Sequence, residues 1–427
     1  MSTDDKTLPT GAPGSAQTPA PAPASGPASA SSLASATAPA TAPATAFASK
    51  TPRATNVNGA AHLSALVNRP LYSARAWTAI LICALLVACL PLANLVLDPA
   101  HPLYVSSYTI SLLGKFMCFA LAALALDLVW GYAGILSLGH GLFFALGGYA
   151  HGMYLMRHLG EPGESRLPGF MTFLSWKEYP WFWSFTEHAA WAWFLVIAVP
   201  GVLAFVFGYF AFRSRIKGVY FSIITQALTF AAMLLFFRNE TGFGGNNGFT
   251  AFRRILGFDI TAASTRAGMY WVTLIVLVLG LILARSVTQS KLGRVLMAVR
   301  DSESRLRFIG YDPLGFKLFV WTLSAMLCGI AGALYVPQVG IINPGEMSPQ
   351  NSIEMVIWVA TGGRGTLIGP IVGAVSVNGL KTWFTGAFPE YWLYVLGLIF
   401  VLVTIFLPHG IVGLVRKIAS RGKGVNL

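Results

Sequence analysis

Residues 131–156 read GYAGILSLGHGLFFALGGYAHGMYLM, a segment that is apolar and long enough to cross a bilayer. A spanning helix needs about 20 mostly apolar residues. This segment also contains seven glycines, and a glycine in a helix interior costs about 1 kcal/mol relative to alanine. Small residues let helix backbones approach closely in lipid, and they permit a break where protein covers the exposed backbone. We therefore predict a broken or closely packed helix over 134–152.

The composition places this segment in a membrane protein. The chain has 427 residues, of which 55% are hydrophobic and only 11% are charged, whereas soluble domains carry about 25% charged residues. The sequence predicts an all-α, polytopic protein. Its long apolar runs lie at 78–97, 104–129, 134–156, 190–212, 217–237, 269–287, 317–337, 365–384 and 391–413.

The basic residues set the orientation and the number of crossings. They cluster before the first run, at RSRIK (213–217), over 291–307 and at the C-terminus. Lys and Arg accumulate on cytoplasmic loops, so both termini are predicted to be cytoplasmic, which requires an even number of crossings. The short run 351–361 then becomes the tenth span, tilted or re-entrant.

The flanks differ from the membrane domain, which is predicted over 66–415 with a cytoplasmic loop at about 288–316. Residues 1–65 are rich in Ala, Pro, Ser and Thr and are predicted to be disordered, since little there could form a core. Residues 416–427 form a basic tail that is predicted to be cytoplasmic.

Several classes of function are disfavoured by the residues that the chain lacks. The net charge of +13 comes from the basic loops, so nucleic-acid binding is not predicted. The four cysteines are isolated within apolar runs, which disfavours metal sites and disulfides. No GxxxxGK[ST], HExxH or GxSxG motif occurs, so no catalytic residue, metal or cofactor is predicted.

Ionisable residues inside the spans are rare and tend to mark function. The candidates are Lys115, Asp127 and Glu354. They form no run of carboxylates, which weakens the case for a proton- or sodium-coupled transporter.

The loop KLGRVLMAVRDSESRLRFIGYDPLGFKLFVWTLSA (291–325) begins with a basic amphipathic stretch. Asp301 and Ser302 can begin a short helix, and Gly310 suits a helix C-terminus. Two interpretations stay open, a helix that inserts into a groove of another protein and a solvated helix that holds two spans apart.

Four segments together resemble the permeases of branched-chain amino-acid-type ABC importers. They are 131–156, the loop RDSESRLRFIGYDPLGFKL, GIAGALYVPQVGIINP (329–344) and GGRGTLIGPIVGA (362–374), and the resemblance runs from about 104 to 413. Within that family, LSLGHGLFFALGGYA, RSRIKGVYFSIITQALTF, FFRNETGFGGNNGFT and LYVPQVGIINPGEMSP resemble the urea-type permease.

The resemblance implies a urea importer in the bacterial inner membrane. It implies a homologous second permease, two cytoplasmic ATP-binding subunits and an external solute-binding protein as partners. ATP hydrolysis would belong to the partners, so this chain would not be an enzyme. The residues expected to engage an ATPase groove are Arg300, Asp301, Glu303, Arg305 and Gly310.

A urea path would be lined by hydroxyl, amide and imidazole groups, because urea is neutral and rich in hydrogen-bonding groups. The candidates are Ser137, His140, Thr225, Gln226, Asn246 and Asn247. For His140 the alternative is a structural histidine bonded to a neighbouring helix. The alternative solutes are a branched-chain amino acid or a short amide, and the rivals outside the family are an ATP-independent channel, a secondary transporter and a membrane scaffold.

Overall fold

The computed structural model describes residues 74–159, 167–406 and 410–421. The predicted disordered segment 1–65 lies outside these residues. The described residues form these α-helices: α1 Ala74–Ala88, α2 Leu90–Val96, α3 Ser107–Asp127, α4 His140–Arg157, α5 Gly169–Phe173, α6 Ala189–Arg213, α7 Val219–Phe237, α8 Ala263–Gln289, α9 Lys291–Phe308, α10 Pro313–Val339, α11 Pro349–Gly362, α12 Ile368–Ala387, α13 Trp392–Phe406 and α14 Gly410–Arg421.

Strands are few and short in the described part of the chain. They are β1 Phe249–Thr250, β2 Arg254–Ile255, β3 Phe258–Asp259 and β4 Ile341–Ile342. Strand β1 pairs antiparallel with β4, and β2 pairs antiparallel with β3. The prediction of an all-α protein is therefore confirmed.

Six helical segments of the described chain are long and apolar enough to cross a membrane. They are Trp77–Val96, Ser107–Tyr132, Ala189–Arg213, Val219–Phe237, Ala263–Gln289 and Pro313–Val339. Each coincides with a predicted span, and α4, α11, α12 and α13 lie within or close to the other four. Helix α11 has 14 residues, about 21 Å at 1.5 Å per residue, which is short of the bilayer core of about 30 Å.

The last predicted span is wrong in its C-terminal part. Helix α13 ends at Phe406, and a separate helix, α14, begins at Gly410 and includes part of the predicted basic tail. Gly410 has a φ of +64°, and a Cβ there would collide with the backbone of Gly363. The chain therefore turns where only glycine fits, and the apolar stretch is divided between two helices.

Helix α10 lies at the centre of the fold and packs against α3, α4 and α6. The Trp321 side chain is fully buried there, and its indole nitrogen donates to the Ala204 carbonyl of α6 at 2.9 Å. Backbones of α4 and α10 touch, because a Cβ on Gly147 would meet the Gly329 carbonyl and one on Gly332 would meet the Phe144 carbonyl. Gly147 of the segment 131–156 thus serves close helix packing.

Candidate translocation and docking sites

Part of the chain between α3 and α4 is not helical. Helix α3 runs into a π-helical turn over Leu128–Tyr132, Gly134 has a φ of +74°, and α4 begins only at His140. The predicted span 134–156 is therefore helical only from His140. We call residues 134–139 the break segment.

Hydroxyl groups of α7 satisfy the backbone of the break segment. The Ser222 hydroxyl donates to the Leu136 carbonyl at 2.8 Å, and the Leu138 amide donates to the Thr225 hydroxyl at 3.1 Å. Thr225 itself donates to the Ser222 carbonyl at 2.9 Å. Non-helical backbone at membrane depth is tolerated only where protein supplies such partners. Thr225, predicted to face the solute, thus supports the break.

His140 joins three helices through a single chain of hydrogen bonds. Its Nδ1 lies 3.0 Å from the Ser137 hydroxyl and its Nε2 lies 2.8 Å from the Ser324 hydroxyl. Ser324 donates its hydroxyl proton to the Ala125 carbonyl of α3. In the contact with His140 the Ser324 oxygen is therefore the acceptor, and Nε2 must carry the hydrogen. The contacts therefore assign the Nε2–H tautomer, with Nδ1 accepting from Ser137.

The enclosure of His140 matches the structural alternative for this residue. His140 is 1% exposed and Ser137 is fully buried, and both hydrogen-bonding nitrogens of the imidazole are already in use. Trp321 and Phe143 cover the ring edge-on at 5.6 and 5.8 Å between centroids. A role for Ser137 and His140 in contacting solute stays a prediction.

The other predicted path residues lie apart from this network. Gln226 is half-buried on α7. Asn246 and Asn247 are exposed in the loop after α7, where Gly242, Gly244, Gly245 and Gly248 all have positive φ angles. Asn247 lines a cavity of about 560 Å³ together with Phe170 and Asn239. The structure brings together Ser137, His140 and Thr225 at the break, but not the asparagines.

Helix α9 consists of two shorter helices. Ser302 has extended backbone angles of −164° and 97°, so a second helix starts after it, as predicted for Asp301 and Ser302. Gly310, with a φ of +89°, follows its end. Just before it, Phe308 is 92% and Ile309 is 66% exposed. We call Phe308 and Ile309 the apolar tip.

Glu303 fixes the second half of α9 to the membrane domain. Its carboxylate lies 3.0 Å from Lys217, 2.9 Å from Arg307 and 2.8 Å from Lys317. Burial raises the pKa of Glu303, but the hydrogen bonds from Lys317, Arg307 and Lys217 outweigh this effect and lower the pKa to about 2. The side chain is only 11% exposed, so Glu303 faces the membrane domain.

The other predicted coupling residues divide into two groups. Arg300 contacts the membrane domain, since its Nη1 donates to the Gly131 carbonyl at 2.8 Å, although its side chain is 36% exposed. Asp301, Arg305 and Gly310 are exposed. Sequence reasoning missed the apolar tip, although the sequence Phe-Ile-Gly after a basic helix was a visible signal.

The buried Asp127 has a structural role at the end of α3. It is fully buried and accepts from the backbone amides of Gly365 at 2.7 Å and Leu367 at 3.3 Å. These amides belong to the turn between α11 and α12. A Cβ on Gly131 would collide with Asp127 and with Gly365. The end of α3, this turn and Arg300 therefore converge on Gly131.

Comparison with known proteins places these features in a family. The family described as branched-chain amino acid transport system / permease component matches residues 108–404. The chain belongs to this family. Together with the apolar helices, this makes the chain a permease subunit of the ABC transporter kind and a multi-pass membrane protein.

Curated relatives agree with this assignment. The chain is 26% identical over 347 residues to the high-affinity branched-chain amino acid transport system permease protein LivM of Salmonella typhimurium, covering 76% of this chain and 75% of the relative. It is 27% identical to LivM of Escherichia coli K12, covering 76% and 74%. The fructose import permease protein FrcC of Rhizobium meliloti is 27% identical over 30% of the chain and 36% of the relative. No solved structure gives a significant match.

Proposed function

We propose that the chain is a permease subunit of an ATP-driven importer in the bacterial inner membrane, and that with a homologous second permease it forms the path for urea. An external binding protein delivers the solute, and two cytoplasmic ATP-binding subunits supply the energy. Both termini are cytoplasmic in this proposal. The apolar tip of α9 is the observation that carries it.

The tip supports docking because it is both exposed and rigidly held. Phe308 and Ile309 protrude, while Glu303 attaches the second half of α9 to the membrane domain and Arg300 attaches the first half. Burying a large apolar side chain contributes about 1.5–3 kcal/mol, so a groove on an ATPase would gain affinity from both residues. Asp301 and Arg305 beside the tip offer charges to the rim of such a groove.

Urea is the proposed solute because the external and break segments resemble the urea-type permease. The alternative is a branched-chain amino acid, which is favoured by the names of the LivM relatives. A channel or secondary transporter would leave the tip of α9 without a partner.

Uptake separates these proposals. We would measure uptake of labelled urea and labelled leucine in cells with the complete transporter, in cells lacking this chain, and in cells lacking the ATP-binding subunits. Loss of urea uptake in both deletions supports the proposal. Loss of leucine uptake in both deletions would support an ATP-driven importer whose solute is leucine instead of urea. Uptake that persists without the ATP-binding subunits would contradict an ATP-driven importer.

A further inference from the structure

A cavity of about 470 Å³ lies away from the break segment, between α3, α11 and α12. Its lining includes four ionisable residues, Lys115, Glu346, Glu354 and Lys381. The spans contain few charged residues, so their convergence on one cavity is a specific feature of the fold. Sequence analysis singled out Lys115 and Glu354 but gave no sign that they meet.

One pair of these residues forms an ion pair across the cavity wall. The Lys381 ammonium lies 2.8 and 2.9 Å from the two carboxylate oxygens of Glu354. Glu354 is 4% exposed and Lys381 is 35% exposed. The pair joins α11 to α12.

Glu346 is held by neutral donors. Its Oε1 accepts from the Tyr335 hydroxyl at 2.8 Å, and its Oε2 accepts from the Asn351 amide at 3.2 Å. Each carboxylate oxygen has room for a further hydrogen bond. A solute with N–H groups could therefore bind Glu346 without displacing either neighbour.

Lys115 is also held by groups that leave its hydrogen-bonding capacity open. Its ammonium lies 5.6 Å from the ring centroid of Phe119 and 5.8 Å from that of Tyr335. Within the described residues it has no carboxylate oxygen at ion-pair distance. The aromatic faces stabilise the positive charge, while the three N–H donors are available to a carbonyl or carboxylate.

We infer that this cavity binds the transported solute, and that the solute is a small molecule of zero net charge with both hydrogen-bond donors and acceptors. This inference rests on the proposed function. Two ammonium groups and two carboxylates cancel formally, so the site disfavours a solute with net charge. Urea fits by donating to Glu346 and accepting from Lys115. A zwitterionic amino acid would use the same two groups and place its side chain against Leu112 and Met355.

The position of the cavity along the helices suits an entry site. On α3 it extends from Tyr108 to Phe119, about 17 Å at 1.5 Å per residue and roughly half of the bilayer core. In the proposed orientation, Tyr108 and the distal lining residue Thr385 lie at the external ends of α3 and α12. A solute released outside would reach Lys115 and Glu346 without crossing the cytoplasmic half.

The test compares solute transport with ATP hydrolysis in the complete complex. We would reconstitute it into proteoliposomes with its binding protein and measure initial uptake of labelled urea and of labelled leucine. Glu346→Gln and Lys115→Met each remove one charged hydrogen-bonding partner of the solute. Because such a bond is strong, we expect uptake of the transported solute to fall about tenfold or more, with ATP hydrolysis changed less than about twofold.

Glu187→Gln is the matched control, because Glu187 is 55% exposed outside the cavity. Unchanged uptake in both cavity variants, with the wild-type complex active, would overturn the inference and leave the proposed function intact. If the wild-type complex transports neither urea nor leucine, the proposed function itself fails.

A second measurement keeps the inference testable if the charge variants fail to fold. Thr385→Cys places a thiol in the cavity wall, in a chain whose exposed Cys83 and Cys89 are replaced by alanine. Phe258→Cys, at an exposed site on β3, is the control. Urea or leucine should slow labelling of Thr385→Cys by an impermeant thiol reagent in a saturable way and leave Phe258→Cys unaffected. Equal labelling rates with and without solute would overturn the inference.

Discussion

Arg300 reaches from α9 to the carbonyl oxygen of Gly131, with its Nη1 2.8 Å away. This contact joins the first half of α9 to the π-helical turn that follows α3. Gly134 lies directly beneath the arginine, because a Cβ there would come within 2.7 Å of the Arg300 Cγ. A movement of Arg300 with α9 would therefore displace the break segment directly.

Gly134→Ala is expected to weaken this connection. A non-glycine residue in the left-handed region costs about 1–2 kcal/mol, and the added methyl group also displaces Arg300. We expect less solute transported per ATP hydrolysed in proteoliposomes. Gly257→Ala is the control, since Gly257 also has a positive φ of +85° but has nothing within 4 Å of a Cβ. Equal transport per ATP in both variants would contradict a coupling role for this contact.

His140→Leu is expected to destabilise the protein. The substitution removes the acceptor of the buried Ser137 hydroxyl and one hydrogen bond of Ser324, which still donates to the Ala125 carbonyl. A buried donor left without an acceptor costs about 1–3 kcal/mol, so the midpoint of thermal unfolding in detergent should fall. His188→Leu, at a site 68% exposed, should leave the midpoint unchanged. A variant of normal stability with a raised half-saturation for uptake would instead support a solute contact at His140.

Glu303→Gln is expected to loosen the second half of α9. The lowered pKa of about 2 means that ionised Glu303 stabilises the folded state. This stabilisation is fully present above the ordinary pKa and is lost progressively as pH falls from there through about 2. Hydrogen exchange over 303–311 should therefore be faster in Glu303→Gln at pH 7. In the wild type, protection of 303–311 corrected for the intrinsic rate should stay constant between pH 7 and pH 5. A loss of protection in that interval would contradict the ion-pair assignment.

Phe308→Ser is expected to weaken docking of the ATP-binding subunits without affecting folding. Phe308 is 92% exposed, so its replacement should leave the unfolding midpoint unchanged while reducing co-purification of the ATP-binding subunits. Phe173→Ser is the control, because Phe173 is 87% exposed and lies on the opposite face in the proposed orientation. Undiminished co-purification of the ATP-binding subunits with Phe308→Ser would place the ATPase contact elsewhere.

The positions of the helices could be predicted from the sequence because apolar runs and basic loops follow the bilayer directly. The break at 134–139 was predicted only as an alternative to close packing, since glycine permits both. The structure contains both, and they are separated by His140. The end of the last span was predicted wrongly because the apolar run 391–413 continues across Gly410, where the backbone lies against Gly363 and a new helix begins.

Side-chain partners could not be predicted from the sequence for a different reason. Glu303 was expected to engage an ATPase groove, because its partners Lys217 and Lys317 lie in other segments of the chain. Lys381 and Glu346 were not singled out at all. The role of each residue depends on a partner that only the tertiary fold brings near, and no local sequence pattern predicts that partner.

Gly332→Ala tests whether glycine in the centre of the fold serves packing. A Cβ on Gly332 would collide with the Phe144 carbonyl of α4, so α4 and α10 would have to separate. Overpacking of this kind costs about 1–3 kcal/mol. Gly315→Ala on the same α10 is the matched control, because nothing lies within 4 Å of a Cβ there, and alanine favours the helix by about 1 kcal/mol. We expect the unfolding midpoint to fall for Gly332→Ala and to hold or rise for Gly315→Ala. Equal midpoints would mean that α4 and α10 can move apart freely, and close packing would then not explain why so many glycines are present in α4.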